Sequence, residues 1–294
     1  MTKRLRVAGL RNAGRPKTAE TKAKAWPIIV AIVSQTTILV ALLYRIGWIR
    51  ANATADYFGL DVTLLGLAPS DYLQRSLNSL VRPLLVFLLG TIVFYAIAPR
   101  LARSRGRFAE RALRTARPVG GVLLLVGVLG VLVDVTPEWP EAALPPLAIF
   151  AGAGTLGYVT HLARSRAGRE SGSHLLSVTL LGLSLIGLLL TVERYAEHVG
   201  RTIAVNDAQA LLTRPEIRLH STRKLDISGT GISLGYDASP EQDFHYRYDG
   251  LRLLVYSNNR FVLVSRQWEH GKSKVFIVKD NDSVRIDVTA PPDR

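Results

Sequence analysis

Glu193, Glu197 and His198 bring two carboxylates and an imidazole close together on a helix, a donor set that suits a divalent metal. A metal held between helices needs a matching Glu or His set from a second helix, and no other segment supplies one. The same residues read as a solvated helix face on which Glu197 pairs with Arg201 one turn on, and that reading is preferred. Gly152-Ala153-Gly154-Thr155-Leu156-Gly157 matches the dinucleotide pattern G-x-G-x-x-G. That chemistry needs a preceding strand, a βαβ unit and an acid about twenty residues on. Here the motif lies inside an apolar run, so small residues at a helix–helix contact are expected instead. The histidines at 161, 174, 220, 245 and 270 are scattered, and no nucleophile-elbow, zinc-protease or phosphate-loop motif occurs. The chain has no cysteine, which excludes disulfides, thiolate nucleophiles and Cys-ligated metals. The sequence therefore predicts no catalytic residue, cofactor or metal, and the expectation is a non-enzymatic protein.

What must be positioned is charge. The stretch from Pro99 to Pro118 holds Arg100, Arg103, Arg105, Arg107, Arg111, Arg114 and Arg117 against one acid, Glu110, with long apolar runs on both sides. Residues 1–25 carry eight Lys/Arg and one Glu, and residues 163–173 carry Arg164, Arg166 and Arg169 against Glu170. These three segments hold slightly more than the whole net charge of +14. Nucleic-acid binding would place such charge on one folded face. Basicity parcelled beside apolar runs instead marks cytoplasmic segments of a multi-pass membrane protein. The arginines are thus topology determinants. The 99–118 block, with Leu101, Phe108, Ala109, Ala112 and Leu113 at helical spacing, suits a short helix lying on an anionic inner leaflet.

The apolar runs give the frame. A membrane α-helical bundle of five spans is expected, at about 26–48, 81–98, 119–135, 144–162 and 174–192. Residues 1–25 form a basic cytoplasmic tail. The first span carries Trp26 and Trp48 at its ends, and Gln35 and Thr36 near its middle, where they suit a helix–helix or pore contact. It is long for a signal peptide, so cleavage near Ala51-Asn52-Ala53 or Ala53-Thr54-Ala55 is not expected. The link 49–80 is unusually apolar for an exposed loop and should pack on the bundle or lie in the interface. Ser70 is the expected N-cap of the next helix, and Pro83 is placed in the first turns of the second span. The alternation of basic, mixed, basic, acidic and basic links puts the N-terminus in the cytoplasm and the C-terminus outside.

After Glu193 the character changes. Residues 193–294 hold 15 basic and 14 acidic groups, an ordinary balance for a water-facing domain. Residues 193–214 continue the fifth span as a helical stalk ending at Arg214-Pro215. Residues 215–294 read as a small α+β domain with an antiparallel β-meander. Strands are expected near 216–220, 224–228, 251–257, 260–267, 273–279 and 283–289, with a hairpin at Asn258-Asn259. A domain this small needs support from the bundle, the stalk or a second copy of the chain.

Tyr57-Phe58-Gly59-Leu60-Asp61, followed by Asp71-Tyr72-Leu73, resembles a pattern in uncharacterised multi-pass membrane proteins of actinobacteria. The run Tyr248-Asp249-Gly250-Leu251-Arg252-Leu253-Leu254, then Phe261-Val262-Leu263-Val264 and Trp268, is similar to their tail domain. The resemblance implies the same layout and no activity. The leading expectation is a cell-membrane protein whose bundle anchors an extracytoplasmic domain that binds a protein partner, as an accessory subunit of an envelope assembly. The alternatives are a transporter or channel subunit, with Gln35 and Thr36 on its path, and a membrane-embedded lipid-acting enzyme using Asp61, Asp71, Asp134 or Glu193.

Overall fold

Runs of Leu, Val, Ile, Ala and Gly without charge favour helices that are apolar on every side, and alternation near the C-terminus favours strands. The computed structural model describes residues 17–103, 107–133, 139–167, 174–239 and 243–289. The chain divides into a unit of Met1–Leu42 and a unit of Leu43–Arg294. The first carries the N-terminal part of helix α1 (Lys17–Tyr57), where Gln35 and Thr36 are exposed. The second carries the end of α1, then α2 (Pro69–Arg103), α3 (Arg107–Leu132), α4 (Leu144–Ala167) and α5 (His174–Gln209). Six strands follow: β1 (Glu216–Ser221), β2 (Ser233–Tyr236), β3 (Tyr246–Ser257), β4 (Arg260–Ser265), β5 (Val275–Lys279) and β6 (Val284–Thr289).

Among the described residues, α3, α4 and α5 are each long and apolar enough to cross a membrane, and α2 is a fourth candidate bent by 43° between Pro69–Leu77 and Ser79–Val93. In the expected first span, Trp26 to Trp48, the side chains of residues 26–33 lie outside the described set, and α1 is not among these candidates. Val86, Leu89, Leu132, Leu175 and Leu181 are all more than 60% exposed, an arrangement that suits lipid rather than water. Pro83 sits well inside α2 rather than in its first turns. It cannot donate to the carbonyl of Ser79, and the bend falls there. The N-terminus of α2 also differs from expectation. Pro69 is the first helical residue, and Asp71 Oδ2 accepts from the N–H of Ala68 at 3.0 Å, so the cap lies at Ala68 and not at Ser70.

The arginine block does not form a separate helix. It divides between the last turns of α2 and the first turns of α3, which runs on through Pro118. Helical propensity in Arg- and Ala-rich sequence extends both spans into the link. Arg105 and Arg169 lie outside the described residues, as do the side chains of Arg100, Arg103, Arg107, Arg111 and Arg166. Arg114 and Arg117 lie on α3, and Arg164, near the end of α4, donates to Ser177 Oγ of α5 at 2.6 Å.

Small residues bring α3, α4 and α5 together. A Cβ on Gly127 would lie 2.7 Å from Pro145 O and Ile149 N, and one on Gly152 would lie 2.6 Å from Leu124 N. A Cβ on Gly187 would lie 2.6 Å from Phe150 N, beside the hydrogen bond from Ser184 Oγ to Phe150 O at 3.1 Å. The G-x-G-x-x-G run is therefore a helix contact, with Gly152 facing α3 and Gly154 facing Ser184 of α5.

The strands β3, β4 and β5 form consecutive antiparallel hairpins, the first turning through Asn258 and Asn259 at φ 48° and 54°. The expected meander stops there. β6 pairs with β1 instead of β5, giving the order β5-β4-β3-β1-β6, with β2 beside the first half of β3. Residues 280–283 link β5 to β6. Such a link reaches about 18 Å when extended, whereas the two edges of a flat sheet of five strands would stand about 19 Å apart, with the strand ends offset further. The sheet therefore coils on itself. Register shifts opposite Gly250 and at Leu253/Val255 supply the bending. Gly250 holds φ 84°, and a Cβ there would strike the carbonyl of Gly231. Ile217, Leu219, Tyr248, Leu251 and Leu263 fill the coil with no exposure. The strand expected at 224–228 is absent. Tyr248 Oη donates to Leu225 O at 2.8 Å and accepts from Leu225 N–H at 2.7 Å, taking the backbone groups that a strand partner would use. Ile227 closes the core beside it.

Candidate functional site: the joint between helices and sheet

The apolar link 58–68 packs against the helices, as expected, and the sheet covers it as well. It is the centre of a second core in which Phe58, Leu60, Val62 and Leu65 pack with Ala51 and Ala55 of α1, Tyr72 of α2, Ala204 of α5 and Val262 of β4. Leu254, Val255 and Val275 join from the outer face of the sheet. The helices can converge because their facing residues are small: a Cβ on Gly200 would strike the carbonyl of Arg50, and one on Gly47 the carbonyl of Tyr72. Thr54 Oγ1 donates to Gly200 O at 3.0 Å across the same crossing.

Local chemistry sets the shape of the link. Asp61 caps a short 3-10 helix, Val62–Leu65, accepting from Thr63 N–H at 2.8 Å and Thr63 Oγ1 at 2.7 Å. These two donors, the hydroxyl first, hold its carboxyl below the usual carboxylate range. Gly66 ends the turn at φ 57° against the Asn258 side chain. Asp56, two residues before Phe58, behaves oppositely. Its carboxyl is pushed up by partial burial and then by the charges of Asp61 and Glu197, with Arg201 opposing.

Polar contacts lock the sheet down. Arg260 Nη1 donates to Leu64 O at 3.1 Å, and His270 Nδ1 donates to Tyr57 O at 2.8 Å. The His270 ring stacks on Tyr57 with centroids 4.2 Å apart, and Trp268 sits 4.8 Å from Phe58. Arg214, just after the 3-10 turn Leu211–Thr213 that follows α5, pairs with Asp207 of α5 at 2.8 Å while donating to Leu253 O and Leu254 O of β3 at 3.2 and 2.9 Å. The stalk is therefore not a free tether; the helix end and the strand share one guanidinium.

A groove of roughly 700 Å³ opens beside the joint. Leu211 and Trp268 line it with Gln209, Gln267 and Arg266. The Trp268 Nε1 atom is buried and has no hydrogen-bond partner among the described residues. An aromatic ring, two amides and one cation within a groove of this size suit a polar ligand or a peptide segment.

The residues read as candidates from the sequence are dispersed. Glu193 pairs with Arg45 at 3.1 Å, and Glu197 pairs with Arg194 at 3.4 Å rather than with Arg201. His198 stacks on Trp139, centroids 5.0 Å apart, and Tyr195 meets the same ring edge-on. Among the described residues no three His, Asp or Glu side chains gather as a metal site. Asp61 and Asp71 cap helices; Asp134 lies outside the described residues. Sequence reasoning missed Arg214, Trp268 and His270 as joint residues. The available signal was the excess of apolar residues between Tyr57 and Leu73, which requires a cover from elsewhere in the chain. No family model, curated protein or solved structure matches the chain, so its function rests on this geometry.

Proposed function

We propose that the chain is a non-enzymatic membrane protein whose helices hold a small sheet domain outside the cytoplasm, as the partner-binding subunit of an envelope assembly. The observation that carries this reading is the joint. A groove lined by Trp268 is built directly onto the core that fastens the sheet to α1, α2 and α5. A domain fixed in this way presents one surface at a set height above the membrane, which lowers the ordering cost of binding. Charge alternation along the links supports the orientation, with the arginine-rich links on the opposite side from the sheet.

Two measurements test it. Reporter fusions after residues 110, 140, 168 and 240 should read inside, outside, inside and outside; an inside signal at 240 defeats the orientation. A photo-crosslinking side chain at Gln267 of the full-length protein in its native membrane should give a discrete protein adduct, absent when the probe sits at Arg285. Equal labelling at both positions removes the groove from consideration.

A further inference from the structure

The free edge of β2 runs toward the groove. β2 and β4 lie end to end along one side of β3, β2 against Tyr246 to Asp249 and β4 against Leu251 to Ser257. β5 flanks β4, with its first residue, Val275, opposite Val264. The position that continues the line of β5 alongside β2 holds no strand among the described residues. Residues 266–274, which join β4 to β5 at that point, are drawn toward the helices, where Trp268 meets Phe58 and His270 stacks on Tyr57. This leaves a slot one strand wide, ~4.8 Å from β2. Gly231, two residues before β2, lines the groove with Arg266 and Gln267, so the slot and the groove are continuous.

The backbone of β2 is set to use the slot. Asp237 N–H donates to His245 O at 2.8 Å, the next rung of the β2–β3 ladder. By alternation Ser233 and Gly235 also turn their backbone groups to β3, and Leu234 and Tyr236 turn theirs outward. No described residue pairs with that outer edge. The Leu234 and Tyr236 side chains extend the inner face of the sheet past Tyr246 and Tyr248, yet they are 48% and 65% exposed. β2 carries none of the Pro or charged residues that deter pairing at an edge. The groove end is cationic. Arg266 is exposed, no acid lines the groove, and no described carboxylate pairs with Arg266.

We propose that the partner presents an extended peptide segment that adds to β2 as a further antiparallel strand, with apolar residues beside Leu234 and Tyr236 and a carboxylate at its C-terminal end, against Arg266. This rests on the partner-binding reading of the groove and specifies its ligand. The antiparallel direction is that of every other pair in the sheet. About six extended residues, ~20 Å, cover β2 and reach Gly231. Main-chain hydrogen bonds to the edge supply affinity, and the alternate side chains and the carboxylate supply selectivity.

The test uses the full-length protein purified in detergent and the fluorescein-labelled peptide amide Val-Thr-Val-Thr-Val-Glu, followed by fluorescence anisotropy. The peptide should bind, and the version ending in Lys should bind about tenfold more weakly, the scale of one charge-assisted hydrogen bond. N-methylation of one alternate set of its amides should abolish binding, and N-methylation of the other set should not. Leu234→Pro removes an outward N–H and spares the ladder to β3, a substitution an edge strand tolerates; it should abolish binding at unchanged Tm. Should Leu234→Pro lower Tm, the methylated peptides carry the test on the unaltered protein. Arg266→Glu should reverse the preference between the two peptides, and Arg285→Glu should leave it as it was. No binding of the Glu peptide, equal loss with both methylated sets, or binding unchanged in Leu234→Pro overturns the proposal. Self-association that Leu234→Pro abolishes, without peptide binding, gives the edge to a second copy of the chain and also overturns it. The Gln267 adduct in native membranes separates the two readings. An adduct that persists in Leu234→Pro keeps the groove and removes the added strand, whereas no adduct at Gln267 removes both.

Discussion

Trp268 is held by Phe58 at 4.8 Å and Tyr57 at 6.0 Å and also lines the groove, so one ring serves both fastening and recognition. Trp268→Ala should cost about 3 kcal/mol in denaturant unfolding followed by circular dichroism. Trp268→Phe should cost less than its lost volume implies, because it also removes an N–H that is buried without a partner. Two carboxylates in the joint respond to acid in opposite directions. Asp61 has a lowered pKa in the folded chain, so its stabilisation is complete above the unfolded carboxylate value and is lost as pH falls below about 4. Asp56 has a raised pKa, so its ionisation opposes folding at neutral pH and protonation relieves that cost on acidification. Asp61→Asn should flatten the acid limb of a Tm–pH profile. Asp56→Asn should raise Tm at pH 7 and lose that advantage toward pH 4.

Helix contacts are governed by the residues that are missing a side chain. Gly200→Leu should separate α5 from α1, costing about 1–3 kcal/mol. Gly182→Leu, where a Cβ meets nothing within 4 Å, should leave Tm unchanged. Thermal unfolding of the two variants in detergent compares them directly. Elements of this kind were largely legible in the sequence, since apolar runs and period-two alternation are local signals. The Asn258-Asn259 hairpin, the continuous α5 and the small-residue role of Gly152 all followed from neighbouring residues. The failures were also local in origin. Ser70 was a plausible cap until Pro69 took the first helical position, and Leu225 and Ile227 looked like a strand because plugging a core asks for the same residues. The pairing of β6 with β1 was not legible, because strand order depends on contacts tens of residues apart. The same holds for the joint: nothing near Phe58 announces Val262 or Trp268.

For the whole molecule, the joint makes the sheet and the helix ends one mechanical piece. The chain has no cysteine, so Tyr57→Cys with His270→Cys supplies the sole pair for a short bis-maleimide. Crosslinking should be fast and near complete in native membranes, since the two rings stack at 4.2 Å. A tethered, tumbling domain would crosslink slowly and partially. Adding a groove-binding partner should leave the rate unchanged, because the contact already exists without it.

The pairing of β6 with β1 and the burial of Phe58 under Val262 also set a timetable. About 200 residues separate Phe58 from its cover, and at a synthesis rate of ~5–20 residues per second that interval lasts ~10–40 s. The sheet cannot close until its last strand has been made, and the joint cannot lock before β4 exists. During biogenesis the link 58–68 is therefore an uncovered apolar segment beside the membrane. A nascent chain arrested at residue 230 should be captured there by insertion or folding factors through Phe58 and Leu60, and one released after residue 289 should not.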